Sequence, residues 1–204
     1  MLQLYSHPNS TYSQRVRIYF VWKEIPFEIL PVALEKLENR KKPFIEINPH
    51  GKVPVLKDGD WILCESYAIM RYVEEKFPDT KPLIPIGMKE RALLTQYACQ
   101  AETEFTIPAS FVYFAKKFIK EEKWDLNRMK ESTKRVGRHL DSLDSFFQSR
   151  KYFFEEQFGF MEIMYAPFIN NISYMELEVP TNVQLWIDRV LSEPAVKSVL
   201  GEKS

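Results

Sequence analysis

The spacing of hydrophobic positions changes along the chain, and the change divides it into two halves. Residues 2–5 form an apolar run of strand length that breaks at Pro8-Asn9. Val16, Ile18, Tyr19, Phe20 and Trp22 then recur at helical spacing until Ile25-Pro26 stops them. Residues 27–32 read as a second strand. A strand, a helix and a strand with short connections predict a right-handed crossover and two parallel strands, with the ligand end at the carboxyl edge of the sheet. The polar residues 33–43 form a loop that leads into a short helix over 43–47, and Asn48-Pro49-His50-Gly51 ends it. Residues 53–56 and 61–64 flank Asp58-Gly59, a hairpin signal because Asp-Gly suits a tight primed turn. Glu65-Ser66 opens a helix that carries Ile69, Met70, Tyr72, Val73 and Phe77 as far as Pro78.

Residues 78–88 contain three prolines and a glycine, the composition of a domain boundary. Past them the helical period takes over. It predicts helices over about 88–120 with a bend near Pro108, over 126–149, over 159–174 and over 181–191, and then a short turn after Pro194. The expected organisation is a domain of strands and helices over 1–77, a linker over 78–88 and an all-helical domain over 89–204.

With 204 residues, 45% of them hydrophobic, there is enough apolar material for two small cores. Twenty-eight basic residues balance twenty-eight acidic ones, so no net field favours nucleic acid or an anionic membrane, and neither is an expected partner. No apolar run approaches the ~18 residues of a membrane span, and residues 1–5 lack the pattern of a secretory signal. The reading is a soluble, cytoplasmic protein. Cys64 and Cys99 form no C-x-x-C, and His7, His50 and His139 have no ligand spacing, so neither a disulfide framework nor a metal is expected.

The candidate chemistry begins at Ser10, at the junction of the first strand and the first helix. Unpaired backbone N–H groups and the positive end of a helix dipole point outward there, which suits an anion. Serine is also a preferred helix cap, and on local sequence both readings stand. Pro54 has no N–H to give a ladder, so it marks a strand start or edge; a cis Val53-Pro54 bond would instead expose the Val53 backbone to a peptide-like ligand. Ser66 is a helix cap that, beside Glu65, is also placed to take a ligand's carboxylate and amino group.

SHPNSTYSQRVRI near the start, NPHGKVPVL in the middle, ESYAIMRYVEEKFP before the linker and IMYAPF over 163–168 occur in the order found in cytosolic glutathione transferases. The chain resembles that family over essentially its whole length, and the opening motif is most similar to the serine-type classes. The resemblance implies a thioredoxin-like amino-terminal domain with a mixed four-stranded sheet, followed by an all-helical domain. It places Ser10 on the catalytic serine or cysteine, Lys52 on a glycine-carboxylate contact, Val53 with cis Pro54 on the cysteinyl backbone contact, and Glu65 with Ser66 on the γ-glutamyl contact. Glutathione is then the co-substrate, a small hydrophobic electrophile is the second substrate, and a homodimer with a role in detoxification is expected. Tyr12, Phe105, Pro108, Phe111 and Tyr113 are candidates for the electrophile site, although aromatic stripes at helical spacing are also ordinary core. The family's capping box upstream of IMYAPF is half lost, with Gly159 and Glu162 at its two positions.

Ser10 stands where redox relatives carry the first cysteine of C-x-x-C. Serine forms no mixed disulfide, which argues for conjugation over thiol exchange. Two other readings remain: a glutathione-dependent isomerase, and a non-catalytic binding or regulatory module of the same fold. The joint presence of Ser10, Lys52, Pro54, Glu65 and Ser66 favours the enzyme.

Overall fold

The computed structural model describes residues 1–154 and 157–201. The chain divides into two compact units, one formed by residues 1–83 together with the chain end from Pro194, the other by residues 84–193. The helical domain expected over 89–204 therefore gives up its last helix to the first unit, and residues 202–204 of that range lie outside the described residues.

In the first unit, β1 (Leu2–Ser6) runs parallel to β2 (Phe27–Pro31) and antiparallel to β3 (Val55–Asp58), which pairs with β4 (Trp61–Cys64), giving the order β2-β1-β3-β4. This is the four-stranded mixed sheet of a thioredoxin-like domain. β1 alternates buried and half-buried positions as period two requires. Tyr5 and Val55, paired across β1 and β3, lie in an apolar cluster with Phe44 and Ile47 of α2 (Phe44–Ile47), Val53, Ile62 and Cys64. Leu4 and Leu56, also paired, alternate to the opposite face, which is left for α1 (Thr11–Trp22) and α3 (Ser66–Lys76). The hairpin forms where Asp58-Gly59 was read, with Gly59 at φ +61°, a conformation glycine adopts at no steric cost. Asp58 also accepts from Tyr72 Oη at 2.5 Å and Lys76 Nζ at 2.6 Å, which fastens the turn to α3.

α1 and α3 are joined by a buried polar cluster. Lys23 Nζ meets Glu74 Oε2 at 2.7 Å and Lys81 O at 3.1 Å, Tyr19 donates its hydroxyl to Glu74, and Leu83 N donates to Glu74 Oε1 at 2.8 Å. Burial by itself raises a carboxyl's pKa, but the hydrogen bonds from Lys23, Tyr19 and Leu83 outweigh it and hold Glu74 below its usual range. A carboxylate with a depressed folded pKa contributes stability above its unfolded value of about 4.3 and loses it as pH falls through the folded value. Glu74→Gln leaves the buried Lys23 cation uncompensated, so a loss of about 1–3 kcal/mol is expected at neutral pH. Urea unfolding of the two proteins at several pH values should show that gap closing in acid.

In the second unit, the helix expected over about 88–120 is helical throughout Met88–Phe118 but divided into α4 (Met88–Gln100) and α5 (Ile107–Phe118). A π-helical stretch over Ala101–Thr106 separates them, and Pro108 sits in the first turn of α5. Proline has no N–H to donate, and the wider ladder just upstream absorbs the missing bond. α6 (Leu126–Phe147), α7 (Phe160–Ile169) and α8 (Thr181–Ser192) complete this unit. α7 stops at Ile169, short of the helix expected to 174, and a 3₁₀ turn over Ile172–Met175 follows. The core is aromatic: Phe153 stacks on Tyr165 at 5.5 Å, Phe147 stacks on Trp186 at 4.8 Å, and Tyr165 bonds His139 Nε2 at 2.7 Å. α9 (Pro194–Leu200) packs on α1 in the first unit.

Among the described residues no helix is long and apolar enough to cross a membrane. No group of three or more His, Cys, Asp or Glu among them is placed to hold a metal ion.

Candidate functional site

The carboxyl end of β1 leads into a tight turn held by its own backbone and by two side chains. Ser10 N donates to His7 O at 3.1 Å, Asn9 N donates to His7 Nδ1 at 3.1 Å, and Gln14 Nε2 donates to Pro8 O at 2.7 Å. Ser10 leaves the turn with extended backbone, φ −84° and ψ 112°, and its Oγ accepts from Ser13 N at 3.2 Å. Ser10 is thus the N-cap of α1. A hydroxyl has two acceptor lone pairs and one proton, so capping uses a lone pair and leaves the proton to donate to an anion.

The first turn of α1 carries no acidic residue, and Arg15 and Arg17, both buried, follow within two turns. Arg15 donates to Ser66 Oγ at 3.1 Å and lies 5.0 Å from the centre of the Tyr12 ring, tying the start of α1 to the start of α3. The hydroxyls of Thr11 and Ser13 are buried and have no hydrogen-bond partner among the described residues.

A second edge forms around residues 48–54. The Val53-Pro54 bond is cis, as the family resemblance implied, and β3 begins immediately after it. Asn48, 3% exposed, organises the approach: its Oδ1 accepts from His50 N at 3.1 Å and its Nδ2 donates to Lys52 O at 2.9 Å. Gly51 needs its positive φ of +60°, and a Cβ there would stand 2.7 Å from Asn39 O. Lys52 is exposed, while Val53 and Pro54 are buried.

A third edge is the β4–α3 junction. Glu65 sits at the N-cap of α3 with φ +71° and ψ 116°, a left-handed conformation that a non-glycine residue holds at a cost of about 1–3 kcal/mol. No side-chain capping bond accompanies it, and the Glu65 side chain is exposed. Ser66 is buried against Arg15. Ser10, Lys52, Val53, Pro54, Glu65, Ser66 and Tyr12 all belong to the first unit.

The other electrophile candidates lie in the second unit, mostly inside it. Phe105 is fully buried against Tyr165 and His139, and Tyr113 is buried against Phe118 and Tyr174. Pro108 is buried, and Phe111 is half-buried with the Arg128 guanidinium 4.1 Å from its ring centre. Pro108 and Phe111 share a cleft of about 420 Å³ with Glu104, Arg128 and Arg135. Two N–H groups of Arg135 reach Glu104, each at 2.7 Å, and hold that carboxyl down at about 2.

Three residues of the first unit's site escaped sequence reading: His7, Asn48 and Arg15. The turn residues around Asn48 were a usable signal, since asparagine commonly bonds the backbone two residues on. A buried arginine inside an amphipathic helix gives no such signal.

Residues 4–81 match the family model described as glutathione S-transferase, N-terminal domain. Across 98% of its length the chain is 28% identical to glutathione S-transferase F7 of Arabidopsis thaliana, covering 99% of that protein. It is 41% identical to a zeta-class glutathione S-transferase of Euphorbia esula, over 48% of this chain and 43% of that one. The crystal structure of glutathione transferase F7 from Populus trichocarpa matches with a TM-score of 0.89 at 26% identity, covering 98% of each chain. Similarity to glutathione S-transferases thus extends over residues 4–81 through the family model and over nearly the whole chain, at 27–28% identity, through individual relatives.

Proposed function

We propose that this protein is a glutathione transferase that joins the thiolate of glutathione, stabilised by the Ser10 hydroxyl, to a small hydrophobic electrophile. The thiolate sulfur forms a bond to an electrophilic carbon. The displaced electron pair leaves with a group such as halide, or is taken up with a proton where the electrophile is an activated double bond. Lys52 takes the glycine carboxylate, the Val53 backbone before cis Pro54 pairs with the cysteinyl unit, and Glu65 with Ser66 receives the γ-glutamyl end. Tyr12, which keeps exposed area in the first unit, is the electrophile candidate of this reading.

The observation that carries this reading is the geometry of Ser10. Its hydroxyl sits at the start of a twelve-residue helix whose first turn has no acidic residue, and its proton is not consumed by capping. Left-handed Glu65 next to buried Ser66 supports the peptide-binding edge, because strained backbone at an exposed residue clusters at ligand clamps. Calorimetry with glutathione, followed by turnover with a chlorodinitrobenzene, tests the proposal. Binding at micromolar to millimolar concentration with release of chloride is expected. Binding without turnover against a panel of electrophiles would favour the non-catalytic module, and no binding would end the reading.

A further inference from the structure

The turn that presents Ser10 is connected to the edge that carries Lys52 by a continuous set of contacts, and His7 is where that set begins. His7 is half-buried at the end of β1. Its Nδ1 accepts from Asn9 N, one residue before Ser10, and its Nε2 lies 3.3 Å from Glu35 Oε2. A ring nitrogen that accepts an N–H carries no proton of its own, so in this arrangement the ring proton is on Nε2 and points at Glu35.

Glu35 sits on the 3₁₀ turn Leu34–Lys36, in a strap that is itself cross-braced. Glu38 Oε2 accepts from Ala33 N at 2.7 Å, and Leu37 passes through φ +55°. At its far end Asn39 Nδ2 donates to Gly51 O at 2.7 Å and Arg40 reaches His50 O at 3.4 Å. The backbone these side chains grip is the one whose next residues are Lys52 and Val53. One imidazole therefore uses both nitrogens, one to shape the turn at Ser10 and one to hold the strap that braces the opposite edge.

We infer that His7 is a positioning residue, acting on the Ser10 hydroxyl through Asn9 and on the glutathione-binding backbone through Glu35 and residues 33–40. The inference rests on the function proposed above. It separates two effects that a merely structural residue would merge. Loss of the Nδ1 acceptor frees the turn and misplaces the hydroxyl, which lowers kcat. Loss of the Nε2 contact loosens the strap, which raises KM for glutathione and leaves the chemical step alone.

The side-chain oxygen of asparagine falls where Nδ1 of histidine lies, so His7→Asn keeps the first contact and removes the second. In His7→Asn and in Glu35→Ala, KM for glutathione is expected to rise by about three- to tenfold, with kcat within about twofold of the parent. The double variant should be no worse than either single one, because both changes cut the same contact. His7→Ala should show the same KM increase together with a fall in kcat of about tenfold and an upward move of the bound-thiol titration. An unchanged KM in Glu35→Ala, or additive losses in the double variant, would overturn the coupling. Equal kcat in His7→Asn and His7→Ala would overturn the role at the turn. Ser10→Ala, measured alongside, separates this proposal from its premise: if that variant leaves the thiol titration in place, the Ser10 assignment falls, and the KM comparison of His7 and Glu35 still decides the coupling. Should His7→Ala fail to fold, the His7→Asn and Glu35→Ala pair carries the test by itself.

Discussion

Ser10→Ala is expected to cut turnover at neutral pH by about ten- to a hundredfold while leaving glutathione affinity within about threefold. The arithmetic starts from a free thiol with a pKa near 8.5, only a few per cent ionised at pH 7. Lowering that pKa by two units requires about 2.7 kcal/mol of preference for the anion. A charge-assisted hydrogen bond supplies about 1.5–3 kcal/mol and the α1 dipole about 0.3–1, so together they cover the requirement without a general base. Alanine removes the larger part and leaves the dipole with Arg15. Thiol ionisation then moves to higher pH, and activity should recover partly as pH rises. The same substitution strips the Ser13 N–H of its cap acceptor and should cost about 0.5–2 kcal/mol of stability. The two losses are separable, because a loss of cap alone does not move a pH–rate profile.

Glu162→Ala is expected to produce the largest change in stability of any single substitution considered for this chain, about 3–5 kcal/mol. Glu162 is completely buried, and its carboxylate accepts three donors: Phe153 N at 2.9 Å, Gly159 N at 3.0 Å and the Trp186 indole at 3.4 Å. Burial pushes its carboxyl up to about 6 against the pull of those donors, so it remains ionised at neutral pH. Gly159 offers no hydroxyl at the N-cap of α7, and Glu162 alone carries the surviving half of the capping box. Alanine would leave three N–H groups without that acceptor, those of Phe153 and Trp186 buried, and a void beside Trp186. Glu162→Gln keeps the shape but turns an amide NH₂ toward a donor, and should recover only part of the loss. Urea unfolding followed by circular dichroism measures both variants, and a change below about 1 kcal/mol in the alanine variant would contradict this account.

The particular residues explain what was legible in the sequence. Asp58-Gly59 announced its turn because few residue pairs adopt that backbone at low cost, and the change from period two to period 3.6 marked where strands give way to helices. The positive φ of Glu65 was hidden, because glutamate carries no signal for left-handed backbone; the conformation is imposed by the β4–α3 junction. The π stretch over Ala101–Thr106 was invisible for a related reason. Pro108 says that a hydrogen bond is missing, but only the surrounding packing decides whether the helix bends there or widens one turn earlier. The buried Arg15 and Arg17 ran against the expectation that charge lies outside, since burial of a guanidinium depends on partners distant in sequence such as Ser66. Burial also bears on two of the electrophile candidates, Phe105 and Tyr113. Helical spacing marks an apolar face, and Phe105 and Tyr113 are on one, but that face is the interior of the helical unit.

The most direct measurement is the ionisation of glutathione bound to the wild-type protein, followed by thiolate absorbance in the ultraviolet as pH is raised. If Ser10 and the start of α1 stabilise the anion, the bound thiol should titrate about two pH units below free glutathione, and the midpoint should return most of the way in Ser10→Ala. A bound thiol that titrates with free glutathione in the wild-type protein, or a depressed midpoint that Ser10→Ala leaves in place, would contradict the assignment of Ser10.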